Sequence, residues 1–381
     1  MSETKPYEPE MMWDLDTRDR IKNLTWWWWW WIFMWPDGKD RKRTRQLMIL
    51  WSTKNCKKIL VDDYNWERNK DITRKELKSG ARSLLCDGMT AAWYFDGKKM
   101  HDPLLLTRSD MESRWNGPKG RLSPKLPGGE RYEFSGEPGD YRVAIHHKGD
   151  SFDFKMSPWT KFMGEHRFTE GRYVGKMGYN ILKVYGSKLK GDVDFRGTKE
   201  NIEGTAYFQK VMVNAPATPW YWAMFHSQSG AYLDYMMPHF GMPCWRKQPT
   251  PKSGYDRGYF FLSRNIHFYD PDEDVFHEFH KKKGHKITIT KAIKDGLPTF
   301  KIHGEDRKGD REIDFTLKAY SRAYWRFEQK YWAVMRSVLF YNEYPSTMES
   351  FRFRSGGRKV RLEDLGEWTR GNTEHAWGWL A

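Results

Sequence analysis

A chain of 381 residues with 39% apolar and 30% charged residues and a mean hydropathy of −0.87 cannot be a polytopic membrane protein, yet it has apolar mass for a real core. Its 21 Trp, 20 Tyr and 22 Phe, 17% of the chain, exclude intrinsic disorder, which is poor in such residues. A net charge of +15 permits contact with nucleic acid or anionic lipid without requiring it, and three cysteines (Cys56, Cys86, Cys244) fit a reducing compartment rather than a disulfide scaffold.

The first ten residues carry Glu3, Glu8 and Glu10 and no apolar stretch, so neither a secretory signal nor a transit peptide is expected. The longest apolar run, Trp26 to Trp35, has ten residues, about half of what a spanning helix needs. A soluble cytoplasmic protein is the expectation, with at most transient contact with a membrane surface. The run ends at Pro36-Asp37-Gly38, a turn signal, and its aromatic residues favour a strand. Period 2 sends Trp26, Trp28, Trp30, Ile32 and Met34 to one face and Trp27, Trp29, Trp31, Phe33 and Trp35 to the other. Both faces need cover, either as a plain core or with one face lining a cavity.

Short strands follow between Gly and Pro punctuation: 92–96, 132–134, 141–145 and 152–156. A hairpin is expected from 179–189 to 193–195 around Gly191-Asp192. The second half repeats the pattern, and Lys286 to Thr290 alternates cleanly. The segment 324–338 is the best helix candidate, although strands fit it equally. The residues therefore predict an all-β sandwich or barrel class with few short helices. Two antiparallel barrels, 1–198 and 199–381, account for the length.

No phosphate loop, dinucleotide fingerprint, HExxH or GxSxG motif is present, and no cofactor is expected. Asp270-Pro-Asp272-Glu-Asp274 starts like a calcium loop but has Val275 where glycine is required and Lys281 in place of the final glutamate, which leaves a solvated turn. His277, His280 and His285 lie close in sequence. On a strand His277 and His280 face opposite sides, so no metal is expected.

The segment Gly204 to Phe240 reads as strand, Pro-containing loop (Pro216, Pro219), strand, Ser-Gly turn, strand. Trp220, Trp222, Met224 and His226 share one face, and Tyr232 and Asp234 share another. Asp234 is a charged group in an apolar run, which is either a structural hydrogen-bond acceptor or an acid kept protonated among aromatics.

The tryptophan-rich first strand with its turn and following strand resembles the opening of hydroxyneurosporene synthase, the carotenoid 1,2-hydratase family. Gly204-Thr-Ala-Tyr207, the Trp220-x-Trp222 strand and Tyr232-x-Asp234 resemble that family's central motif. The resemblance, shared with tocopherol cyclases and fungal Diels–Alderases, implies two lipocalin-like β-barrels and a large lipophilic isoprenoid or polyene ligand. It implies protonation of a double bond by Asp234, aided by Tyr232 and Tyr207, followed by hydration, cyclisation or isomerisation. Ligand contacts then fall to Trp26, Trp28, Trp30, Trp220, Trp222 and His226. The family's His and Trp on the preceding strand are replaced by Thr205 and Tyr207, so a non-catalytic carrier of an apolar ligand stays open. A basic nucleic-acid or anionic-surface binder is disfavoured, because acids interrupt the basic runs.

Overall fold

The computed structural model describes residues 2–38, 40–126, 128, 130–215, 219–241, 259–332 and 335–380. Pro216 and Cys244 lie outside them. The protein is built almost wholly of antiparallel strands, with one four-residue α-helix, Lys161–Gly164, among the described residues. Two compact units divide the chain: Met1–Trp35, Gln46–Tyr94 and Asp102–Pro216 form the first, and Pro36–Arg45, Phe95–His101 and Ala217–Ala381 the second.

The first unit is a closed barrel of ten strands in simple up-and-down order: β1 (Thr25–Asp37), β2 (Asp40–Lys54), β3 (Arg82–Phe95), β4 (Met100–Asn116), β5 (Lys119–Lys125), β6 (Tyr132–Glu137), β7 (Asp140–His147), β8 (Asp150–Pro158), β9 (Met177–Phe195) and β10 (Thr198–Asn214). β10 closes it by pairing β1, with Val211 opposite Trp28. Closure leaves no open edge in the ring. Two-residue turns with both φ positive, Lys148-Gly149 and Arg196-Gly197, join β7 to β8 and β9 to β10, the geometry that matches strand twist. The turn expected at Gly191-Asp192 is therefore at Arg196-Gly197. Gly191 sits inside β9 because a Cβ there would lie 2.1 Å from the Asp153 carbonyl oxygen; the glycine serves close approach, not a turn.

The barrel interior is packed. Trp27, Trp29, Trp31, Phe33 and Trp35 point inward and are 2% exposed or less. The Trp31 ring lies 5.0 Å from Trp51, 5.1 Å from Phe134 and 5.2 Å from Phe208. The N-terminal segment enters the same core with Met12, Trp13 and Leu15. Its carbonyls take the indole protons: Trp29 Nε1 donates to Met12 O at 3.0 Å and Trp27 Nε1 to Asp16 O at 2.8 Å. Lys210 on β10 donates to the carbonyls of Met11 and Asp14 while its ammonium sits 5.3 Å over the Trp29 ring; burial lowers its pKa to about 7.

The second unit contains β11 (Trp220–Ser227), β12 (Tyr232–Gly241), β13 (Asn265–Asp270), β14 (Val275–His280), β15 (Lys286–Lys294), β16 (Leu297–Glu305), β17 (Arg311–Ala319), β18 (Ala323–Trp332), β19 (Met335–Ser355) and β20 (Thr369–Leu380). The sheet order is β14-β13-β12-β11-β20-β19-β17-β16-β15, with β18 on β19. The helix candidate 324–338 is thus two strands. Its burial alternates strictly, Ala323, Trp325, Phe327 and Gln329 being covered and the residues between them partly open. The sheet curls so that Tyr221, Tyr235, Ile266, Phe279, Ile287, Phe300 and Phe315 share one core. A Cβ on Gly304 of β16 would stand 3.0 Å from Ile266 and 3.5 Å from Phe279, two strands from the far end of the sheet. The Asp270 turn is held by Arg358, which donates to both Asp270 oxygens at 2.8 and 3.1 Å and to Asp272 at 2.6 Å.

Candidate functional site

In the first unit Trp26, Trp28 and Trp30 lie on the outward face of β1, opposite the packed interior. Trp30 is 1% exposed and meets Trp93 edge-on at 5.5 Å. Trp26 and Trp28 are half-buried, 5.3 Å apart, and Lys54 lies 4.9 Å over Trp26. Tyr207 shares this outward face, being opposite Ile32 across β10–β1, and its hydroxyl donates to Gln209 Oε1 at 3.1 Å.

In the second unit one sheet face carries the remaining residues. The register pairs Trp222 with Met236, Met224 with Asp234 and His226 with Tyr232, so all six share the face that turns away from the apolar core. It is buried nonetheless: Tyr232 and His226 are fully covered, Asp234 is 1% exposed and Trp222 3%. Asp234 is well partnered. Tyr232 donates to Oδ2 at 2.8 Å, and His267 Nδ1 lies 2.5 Å from Oδ1. Both oxygens act as acceptors. We expect Asp234→Asn to cost about 1.5–3 kcal/mol for each lost charge-assisted bond, seen as a fall in the urea midpoint, and Tyr232→Phe to be milder. An unchanged midpoint in Asp234→Asn would show that these bonds do not hold the fold.

Across β20 and β19 the same face holds a second acidic group that sequence reading missed. Glu343 is directly opposite Glu374, and Glu374 is opposite Trp222. The two carboxyls are hydrogen-bonded to each other and are 0% and 4% exposed. Trp220 Nε1 donates to Glu374 Oε2 at 2.6 Å, Tyr341 donates to Glu374 Oε1 at 3.1 Å and closely to Glu343, and Asn372 donates to Glu343 Oε2. Burial drives both carboxyls above the ordinary glutamate range; Glu374 raises Glu343 further while Tyr341 and Asn372 counteract that rise, and Glu343, Trp220 and Tyr341 counteract the rise of Glu374. Both carboxyls are thus biased toward the protonated form, Glu343 the more strongly, while Trp220 and Tyr341 donate to Glu374 and Tyr341 and Asn372 to Glu343. The Trp220 and Tyr341 rings lie 5.8 Å apart beside it.

Strand geometry puts Asp234 two strands and two residues from Glu374, about 12 Å, so the two acids share a face without touching. Glu343 did carry a readable signal: it is a lone acid in Phe340-Tyr341-Asn342-Glu343-Tyr344. On the opposite face, inside the core, His375 stacks on Tyr221 at 3.9 Å and its Nδ1 lies 3.1 Å from Lys291 Nζ; burial, reinforced by Lys291, keeps His375 neutral.

No family model matches the chain, and no curated protein matches its sequence. Solved structures do. CghA aligns over 94% of this chain and 90% of its own at 7% identity with a TM-score of 0.51, and CghA with Sch210972 gives 0.50 over the same shares. The chain has the fold of CghA. A Nitrosomonas europaea protein described as an AttH is also similar, at 12% identity over 95% of this chain and 96% of its own, with a TM-score of 0.47. At 7% identity the likeness to CghA establishes architecture and leaves chemistry to the residues. No helix among the described residues is long and apolar enough to cross a membrane.

Proposed function

We propose that the protein binds a large lipophilic alkene of isoprenoid or polyene type and protonates it with the Glu343–Glu374 pair. The observation that supports this reading is a buried, hydrogen-bonded carboxyl pair whose burial favours the protonated form, walled by Trp220, Trp222 and Tyr341. Glu343 delivers its proton to one alkene carbon, and the other becomes a tertiary carbocation. Charge then balances locally, the pair gaining a negative charge as the substrate becomes a cation. Each facing aromatic ring contributes up to about 2 kcal/mol to a desolvated cation. Water addition or loss of a neighbouring proton ends the reaction as hydration, isomerisation or cyclisation, and the released proton returns to the pair. The acid step needs no cofactor. Asp234 and Tyr232 flank the site beyond Met224, and the protein works in the cytoplasm, touching membranes only to collect its ligand.

The test is incubation in D2O with isoprenoid alkenes of increasing length, with tryptophan quenching for binding and mass spectrometry for product. Deuterium should appear at carbon in the wild type and fall at least 100-fold in Glu343→Gln, with binding within a few-fold. Full turnover in that variant would refute the acid assignment. Binding without any deuterium incorporation would make the protein a carrier.

A further inference from the structure

We propose that His267, Glu278 and His280 form a binding site for one first-row divalent metal ion, zinc by preference. The site is built from two adjacent strands. β13 and β14 pair antiparallel with His267 opposite Glu278 and Asn265 opposite His280, so the three side chains emerge on one face as neighbours. His277, one position before Glu278, points the other way, with its ring 4.5 Å from Phe353 in the core. One donor atom from each of His267, Glu278 and His280 lies within 4.8 Å of the others. His280 Nε2 is 3.6 Å from Glu278 Oε1. Ligands at 2.0–2.1 Å from a tetrahedral zinc are about 3.4 Å apart, so a small closure of the three suffices.

The second observation concerns the far side of each ring. His267 Nδ1 is held by Asp234 at 2.5 Å, and His280 Nδ1 by Asn265 at 2.8 Å. Each imidazole thus has one nitrogen fixed by an oxygen acceptor and offers Nε2, the arrangement that sets tautomer and raises basicity in metal-ligating histidines. Phe276 stacks on His267 at 5.4 Å and orients it further. The rings are mostly covered, 15% and 16% exposed, while Glu278 at 41% leaves an entry path. Lys283 contacts the other Glu278 oxygen, Oε2, at 3.3 Å and leaves Oε1 to the metal. Two imidazoles and one carboxylate suit zinc rather than calcium or magnesium, and water takes the fourth position.

A second cluster, His303, Glu312 and Asp314, makes the contrast. There Arg352 donates to Glu312 at 3.1 Å and to Asp314 at 2.9 Å, and Arg354 donates to Glu312 at 3.3 Å. The guanidinium groups already neutralise its carboxylates, so it serves as the control.

The experiment uses tag-free, chelator-stripped full-length protein, titrated with Zn2+ by calorimetry and with Co2+ by visible absorption. One equivalent should bind, and Co2+ should show the intense bands of a tetrahedral site. His280→Ala and the exposed Glu278→Gln should each weaken binding at least 100-fold, Asn265→Ala about 10-fold, and His303→Ala not at all. Glu278→Gln keeps the test decisive if the histidine variant does not fold. Absence of saturable binding, or equal affinity in wild type and Glu278→Gln, overturns the site.

Discussion

Replacing Trp31 by alanine is expected to cost about 3–5 kcal/mol, whereas Trp28→Ala should cost about 1 kcal/mol. The two residues are chemically identical and three positions apart on one strand. Trp31 is fully buried inside the first barrel against Trp51, Phe134 and Phe208, so its removal leaves a void that close-packed rings on all sides cannot collapse into. Trp28 points outward and is half-buried, so its site refills with water or with the neighbouring Trp26. Urea unfolding followed by far-ultraviolet circular dichroism reads the difference. Trp31→Phe and Trp28→Phe give the same ordering at smaller amplitude should the alanine variant fail to fold. Equal costs at the two positions would mean that the inward face is not the tighter one.

That contrast also shows what was legible in the sequence. Ten apolar residues before Pro36-Asp37-Gly38 favour a strand, because aromatic side chains suit strands better than helices and the turn signal follows at once. They do not identify its inner face. A strand whose two faces carry the same residues holds no register information, and the choice is made by Met12, Trp13, Phe134 and Phe208, which arrive from distant parts of the chain. The same limit governs the site. Asp234 was visible as an acid in an apolar run, and period 2 groups it with Tyr232 and groups Trp220 with Trp222 and His226, but only the β11–β12 register puts the two sets on one face. Glu343 stands out as a lone acid in an aromatic run, whereas Glu374, with Thr373 beside it, looks unexceptional. They become an acid pair only because β19 and β20 are neighbours, a non-local pairing that periodicity does not reveal. His267, Glu278 and His280 are invisible for the same reason: the sequence offers His277, His280 and His285 as a group, and the sheet pairs a different three.

The contribution of the Glu343–Glu374 pair to stability should fall as pH rises above 4.5, and Glu343→Gln should remove part of that fall. Both carboxyls have native pKa values raised above the ordinary 4.5, chiefly by burial. Above pH 4.5 the pair therefore retains protons in the native state that it has released in the unfolded chain, and its share of the free energy of unfolding decreases with pH. The contribution is fully present below the unfolded value and is lost as pH passes upward through the native ones. Glutamine in place of Glu343 is close to isosteric, still donates to Glu374 and has no proton to lose, but it offers one acceptor oxygen to Tyr341 O–H and Asn372 Nδ2–H, which both donate to Glu343. At pH 5 the variant should therefore be less stable than the wild type by about 1–3 kcal/mol, and that deficit should shrink toward pH 9. Glu374→Gln should behave differently. Its amide offers one acceptor to Trp220 Nε1–H and Tyr341 O–H, which both donate to Glu374, so one buried donor loses its partner at a cost of about 2–4 kcal/mol across the whole range. Urea midpoints measured from pH 5 to 9 for the three proteins separate these cases. Parallel curves for wild type and Glu343→Gln would mean that Glu343 is ionised in the native protein, and the asymmetry between the two carboxyls would be gone.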